Sequence, residues 1–518
     1  MAVPYFIKSL DPRRRADDEK GTNVLNVGTA LANLDLMQWL LFLSGFLAWS
    51  MDAFDFFSVS LTVPYLSEQF GRDTHDITTA ITLTLLFRSL GAVIFGVISD
   101  RFGRKWPLVF NLVLVAILEL GSGFCNTFQQ FLAVRSLFGV GMGGIWGQAA
   151  ATGLENLPAE LRGLFSGILQ EGYAFGYLIA AVVDLYLVPG DPHTWRSLFW
   201  LGSGLSFGVA LFRAVLPESK VFLRAREEAK QKGTLLSEKE KTRIFLHEVK
   251  LMFKNEWVLC IYAVLLMTGF NFLSHGSQDL YPTYLKTTKG LSSHSATVAT
   301  IIGNCGAIAG GVAAGWISQR LGRRLTIILF TLSIGAWIPL WILPNSFGAL
   351  AAGAFFIQFG VQGAWGIIPV HLNELSPAGF RSTFPGVAYQ LGNMVSSASA
   401  QIEATAGENL RTVIYNKATG QMQEVPDYGK VQGILIGVVA AFVVFWTLIG
   451  DEKHGRHFEN AKLAIEEDTG KGKDAEKDEA SITNSQERDT NKSEDIERGS
   501  FNEKEAKANQ GTQHVENI

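Results

Sequence analysis

Asn271, Ser274, His275, Gln278 and Asp279 fall within nine residues of "NFLSHGSQDLYPT", in a stretch otherwise apolar enough to sit in lipid. At about 100° per residue, the steps Asn271 to His275 to Asp279 each turn by only about 40°, so a helix would carry these groups as one polar stripe. An imidazole one turn from a carboxylate is a proton-responsive pair, because imidazole titrates nearest physiological pH and a neighbouring carboxylate tunes it. Ionisable groups inside apolar spans cost roughly 2.5 to 3.5 kcal/mol at a helix centre and mark function by default. The others are Asp52, Asp55, Arg88, Glu119, Arg135, Glu171, Asp184, His371 and Glu403, of which Asp184, His371 and Glu403 lie near span ends, where water could reach them. Arg88 sits midway along "TLTLLFRSLGAVIFG". Its permanent charge and fork of donors would anchor an anionic substrate, or else pair with Asp55 or Glu119. Glu119 and Arg135 read best as a structural pair, while Asp52 and Asp55, three apart, share a face of the first span.

The elements that must position these groups are membrane helices. Of 518 residues 48% are hydrophobic and 18% charged, with 36 Phe, 12 Trp and 53 Gly, a balance that suits a polytopic membrane protein. About 20 helical residues cross a hydrocarbon core of about 30 Å. Twelve stretches qualify: 38–66, 78–98, 106–125, 128–152, 163–187, 197–216, 257–285, 294–318, 325–343, 347–371, 383–405 and 430–450. The fold class expected is therefore all-α and polytopic. Its organisation would be an N-terminal tail 1–37, a six-helix half 38–216, a charged linker 217–256 with amphipathic helix, a second six-helix half 257–450, and a tail 451–518 too charged to fold alone. The N-terminus lacks the apolar core of a cleavable signal peptide. Cys125, Cys260 and Cys305 lie in apolar runs and offer neither a disulfide framework nor a metal spacing, and no cofactor, enzymatic activity or nucleic-acid partner is implied.

An internal repeat relates the halves. "GVISDRFGRK" at 96–105 recurs as "GWISQRLGRR" at 315–324, an offset of 219 residues. The same offset carries Glu155, Pro158 and Arg162 to Glu374, Pro377 and Arg381, and Trp146 to Trp365. It also carries Asp52 to Asn271, Asp55 to Ser274 and Glu171 to Gln390, so the polar stripe would face the first span's acids across a central cavity. Parallel repeats of this kind organise transporters whose halves rock about a midplane site. Basic residues of alternate loops, among them Arg101, Arg104, Arg162, Arg320, Arg323 and Arg381, share one side with Arg13 to Arg15 and the linker, which by the positive-inside rule places both termini in the cytosol. Asp100, Arg101, Arg104, Glu155, Arg162, Arg320, Glu374 and Arg381 are expected to form a cytoplasmic gate. In it Asp100 would pair with Arg162 or cap a helix, and Glu155 would meet Arg101 or Arg104. The alternative is that these charges only set topology.

The loop motif and "RSLFGVGMGG" (135–144) resemble the signatures of the major facilitator superfamily, with Gln319 standing where the second copy would have Asp. N-x-x-S-H-x-S-Q-D, continuing to Thr283, resembles the hallmark of the Jen family of fungal lactate/pyruvate and dicarboxylate proton symporters. The resemblance implies proton-coupled uptake of short-chain carboxylates at the plasma membrane. It also implies substrate recognition by the stripe, by Arg88, and by Gln390 and Asn393 in the eleventh span, for which the residues alone allow helix-to-helix hydrogen bonding as well. On this reading a small carboxylate docks on Arg88 with Asn271, Ser274, His275, Gln278, Gln390 and Asn393 around it, and a proton is taken by Asp55, His275 and Asp279, or by Glu171. Dicarboxylate symport, a neutral-substrate carrier and a non-transporting nutrient sensor remain alternatives. The tail's Lys, Ser and Thr residues suit ubiquitin ligases or kinases as partners, or are simply solvated.

Overall fold

Apolar sequence of this length has one way to satisfy its backbone in lipid, which is helix. The computed structural model describes residues 27–453, apart from 73, 189–194, 221, 225–226, 228–237, 378–379 and 417–420. Arg13 to Arg15 and the tail from residue 454 onward lie outside the described residues. Among those described, ten near-continuous helical segments have the length and apolarity to cross a membrane. They are the first span (helix Leu36–Phe70), the second (Thr74–Phe102), third (Lys105–Gly123), fifth, sixth (Trp195–Val215), seventh, eighth (Ser293–Leu321), ninth (Arg323–Ile342), tenth and twelfth (Tyr428–Ile449). The fourth and eleventh spans are interrupted helices: Phe128–Gly143 then Ile145–Leu154, and Thr383–Ser396 then Ser399–Asn409. Shorter breaks divide the fifth at Glu171 (Ala159–Gln170, Gly172–Tyr186), the seventh after Gln278 (Trp257–Gln278, Tyr281–Thr287) and the tenth at Ile367 (Phe347–Gly366, Ile368–Leu375). The linker supplies helix Glu238–Asn255. One departure from the expected all-helical layout is an antiparallel hairpin, Arg411–Asn416 with Gln421–Pro426, before the twelfth span.

The outer surface of the helices is greasy, as lipid requires: Leu86, Leu90 and Ile94 on the second span and Val438 and Phe445 on the twelfth are exposed. Within the first half, the first span packs on the fourth, fifth and sixth; within the second, the seventh packs on the tenth, eleventh and twelfth. The halves meet where the eighth span crosses the fifth and the eleventh crosses the second. Glycine makes the first crossing possible, because a Cβ on Gly167 would stand 2.2 Å from the carbonyl oxygen of Gly311.

At the end carrying the basic loops, the two motif copies fold alike. Gly103 (φ 104°) and Gly322 (φ 87°) adopt the positive-φ turn that favours glycine. Each turn opens a helix whose first amides meet an acid from the end of its own half. Glu218 accepts from the Arg104 and Lys105 amides (3.0 and 3.0 Å), and Glu452 from those of Arg323 and Arg324 (3.1 and 3.0 Å). A carboxylate at a helix N-terminus is stabilised by the unpaired amides and the helix dipole.

The latch itself is asymmetric. Asp100 accepts from Ser382 N, Thr383 N and Thr383 Oγ1 of the other half at 3.1, 2.8 and 2.5 Å, so of the two expected roles it caps the eleventh span. Its cation is Arg104 (2.7 Å) rather than Arg162, and Arg104 also grips Glu155 at 2.9 Å. Gln319, the repeat partner of Asp100, instead donates across the halves to Glu160 O at 2.6 Å. Glu374 pairs with Arg323 at 3.0 Å, a residue the gate expectation had omitted. Arg101 and Arg320 instead lie over Phe102 and Trp316, while Arg162 and Arg381 are buried, Arg162 donating from Nε to Leu157 O. Ser166 adds a further tie, donating to Gly366 O (2.8 Å) and accepting from Val370 N (3.0 Å). The halves are thus closed on each other at the motif end.

Candidate substrate and proton site

In the polar stripe of the seventh span Asn271, Ser274 and His275 are buried, Gln278 is half-buried and Asp279 is exposed, and its partners come from the tenth and eleventh spans. Asn271 donates to Met267 O and to Tyr389 O. Ser274 donates to Gln278 Oε1 (3.3 Å), and Gln278 donates to Gln358 Oε1 (2.9 Å). His275 Nδ1 faces Asp279 Oδ2 at 3.1 Å and its Nε2 faces Asn393 Oδ1 at 2.9 Å. Asn393 in turn donates from Nδ2 to Gln390 Oε1 (3.2 Å). Both ring nitrogens therefore face acceptors, an arrangement fully paired when the ring carries two protons.

Arg88, His275, Tyr173, Trp365, Tyr389 and Asn393 line a cavity between the halves. It holds about 10 Å3, room for the centre of one water molecule. The guanidinium of Arg88 is bonded through Nη2 to Asp52 Oδ2 at 2.7 Å, both side chains being buried. Its Nε has no partner among the described residues, nor has Asp52 Oδ1. The cavity wall is aromatic: Trp49 stacks on Tyr173 (5.6 Å between centroids), and Trp146 and Trp365 flank Tyr389 at 4.7 and 5.6 Å.

Several expectations are corrected here. The partner of Arg88 is Asp52, not Asp55 or Glu119. Asp55 turns away from the cavity to accept from Ser206 Oγ of the sixth span at 2.8 Å, since three residues along a helix rotate a side chain by about 60°. It lies beside the buried Arg135–Glu119 pair (2.6 Å), whose guanidinium also reaches Asp55 O at 3.4 Å. Asp55 is therefore not brought together with His275 and Asp279. Glu171 points at Gly311 of the eighth span, where a Cβ would meet its carboxylate, and its neighbour Gln170 lines the cavity instead. Gln390 stands behind Asn393, with its carbonyl taking Ser89 Oγ at 2.9 Å, and Gln278 faces a second space beside Tyr281 and Asn304. His371 and Glu403, expected near water, have no exposed surface.

Three contributors escaped the sequence reading. Gln358 and Gln362, one turn apart on the tenth span, hold the stripe from behind, Gln362 donating to Ser274 Oγ at 3.4 Å. Gln170 accepts from Trp146 Nε1 at 3.0 Å. The Trp146/Trp365 pair was visible as a repeat match, and its flanking of Tyr389 is the signal that could have named a binding wall.

A family model, "Sugar (and other) transporter", matches residues 26–462. The chain belongs to that family of the major facilitator superfamily. Among curated relatives, a carboxylic acid transporter protein homolog of Saccharomyces cerevisiae is 36% identical over 82% of this chain and 70% of its own length. This agrees with the Jen-type resemblance of the seventh-span motif. A probable 4-methylmuconolactone transporter of Cupriavidus pinatubonensis is 27% identical over 80% of this chain and 90% of its own. Among solved structures, the proton:xylose symporter XylE bound to 6-bromo-6-deoxy-D-glucose superposes with a TM-score of 0.61 at 19% identity, over 83% of this chain and 99% of that one. That likeness establishes the fold. As a family member, this chain is a transporter of the major facilitator fold, with its candidate site at the interface of the two halves.

Proposed function

We propose that this protein is a proton-coupled symporter of short-chain monocarboxylates of the lactate, pyruvate and acetate type, acting by alternating access in the plasma membrane with both termini cytosolic. The observation that carries the reading is the half-used guanidinium of Arg88: it stands in a cavity between the halves, tied to one carboxylate oxygen and with Nε unpaired. A substrate carboxylate satisfies that donor and competes with Asp52 for the charge. His275, held by Asp279 and Asn393, stands on the facing wall and supplies the proton.

The cavity is too small for a carboxylate as it stands, so loading requires the halves to part. With the motif end latched, the opening is at the other end, toward the outside in the orientation the basic loops imply. Substrate and proton bind, the outer end closes, and the Asp100 latch breaks to release both into the cytosol. One proton with one monoanion moves no net charge, and each pH unit supplies about 1.4 kcal/mol. The presence of both Arg88 and His275 in one cavity favours a second reading, in which a dicarboxylate bridges the two cations.

The test is uptake of labelled lactate by proteoliposomes with an acidic exterior, with unlabelled succinate as competitor. Accumulation that collapses when the pH gradient is dissipated supports symport. Negligible uptake at any gradient would leave the sensor reading. Stronger inhibition by succinate than by unlabelled lactate would select the dicarboxylate.

A further inference from the structure

Glu403 belongs to none of the motifs above. It lies on helix Ser399–Asn409 of the eleventh span with no exposed surface. Its Oε2 accepts from Gln432 Nε2 at 3.1 Å. The direction of that amide is set from behind, since the indole of Trp341, a donor only, donates to Gln432 Oε1 at 3.3 Å. The other oxygen, Oε1, is buried and has no partner among the described residues. It faces the seventh span, where a Cβ on Gly276 would lie 3.5 Å away. Gly276 follows His275 directly and precedes Asp279 by three residues, so Asp279 shares the helix face that Glu403 approaches and acts on it electrostatically.

Helix Ser399–Asn409 packs against the twelfth span, the seventh span and the second hairpin strand. From the seventh span the charged group acting on Glu403 is Asp279, of like sign, while His275 is committed to Asp279 and Asn393. From the twelfth span, Asp427 and Lys430 stand at the helix start, Asp427 capping the Lys430 amide at 3.1 Å. From the hairpin strand, Glu424 is exposed and 3.9 Å from Arg411. Among the described residues no cation contacts Glu403. An ionised carboxylate here would have one neutral donor, one orphaned oxygen and a like charge nearby, and a proton on Oε1 removes the charge that makes these costly.

We propose that Glu403 is a proton-holding acid in series with the His275–Asp279 pair. The two carboxyl groups share one proton: Glu403 holds it while Asp279 is ionised against the imidazolium, and transfer leaves Glu403 ionised and Asp279 neutral, with the total charge of the two unchanged. Release of Asp279 from its pairing frees His275 to give up its own proton. Glu403 is then refilled from water at the hairpin end of the eleventh span. The inference rests on the proton-coupled reading above and adds a second titrating group to it.

The test is labelled lactate uptake into proteoliposomes over external pH 5 to 7.5, beside lactate exchange at equal pH, for wild type, Glu403→Gln and Glu403→Asp. The amide is isosteric with the neutral acid and cannot pass a proton. The expected result is a loss of gradient-driven accumulation in Glu403→Gln at least tenfold greater than its loss of exchange, with partial recovery in Glu403→Asp. A Glu403→Gln protein with the wild-type pH profile overturns the inference alone. Wild-type uptake indifferent to the gradient overturns the symport reading and this inference with it. Should Glu403→Gln fail to fold, Glu403→Asp decides: a displaced pH profile supports the proposal and an unchanged one refutes it.

Discussion

Asp100→Asn is the most informative perturbation of the conformational cycle. Asp100 accepts three hydrogen bonds across the interface, from Ser382 N, Thr383 N and Thr383 Oγ1, and is charge-balanced by Arg104. Hydrogen bonds to charged groups contribute about 1.5 to 3 kcal/mol each. Asparagine keeps one acceptor oxygen, so at least one such bond is lost and the amide hydrogens face the donors of Thr383. A net loss of about 2 to 3 kcal/mol from the latched state is expected, which at 1.4 kcal/mol per decade shifts the equilibrium toward the motif-open form by roughly 30- to 150-fold. The assay is a distance distribution by pulsed electron resonance between spin labels at Phe102→Cys and Arg320→Cys, both exposed at the motif end, with Cys125, Cys260 and Cys305 replaced by Ser. A new longer-distance population in Asp100→Asn is the predicted result. A folded variant whose distribution matches its parent would show that the carboxylate does not hold the halves together.

The other expectations concern the site and the interface. His275→Ala and Asp279→Asn should reach the membrane and lose gradient-driven lactate uptake, and normal uptake in both would remove them from the proton path. Asn393→Ala deprives His275 Nε2 of its acceptor, a loss of about 1 to 2 kcal/mol, so substrate affinity measured by titration should fall roughly 5- to 30-fold. Gly167→Leu puts a branched side chain where a Cβ alone would meet Gly311 O at 2.2 Å, and should open the motif end in the same spin-label assay without a change in Asp100.

Much of this was legible in the sequence because periodicity and repetition carry long-range information. The 219-residue offset paired the two loop motifs, and both copies fold around a positive-φ glycine. The seventh-span stripe is one face because its residues recur near the helical period. What the sequence withheld is which neighbour each face meets. Asp52 and Asp55 share a helix face at the resolution of spacing, yet one meets Arg88 and the other Ser206, because about 60° of rotation separates the cavity from the sixth span. Glu171 and Gln170 exchange roles through a single-residue rotation at the fifth-span break. Glu403 looked wet from its distance to the span end, whereas the hairpin, the twelfth span and the seventh span enclose it. Glu218 and Glu452 cap the third and ninth spans from loops after the sixth and twelfth, too far along the chain for local pattern to connect.

The account turns on a carboxylate held by Arg88, and Trp365 in the same cavity provides a reporter. Titrating lactate into the purified protein while following tryptophan fluorescence should give a saturable change in wild type. In Arg88→Lys, which keeps the charge and loses the fork, affinity should weaken by at least tenfold, and Arg88→Gln should show no saturation. Equal affinity in wild type and both variants would contradict the claim that this guanidinium is the anion site.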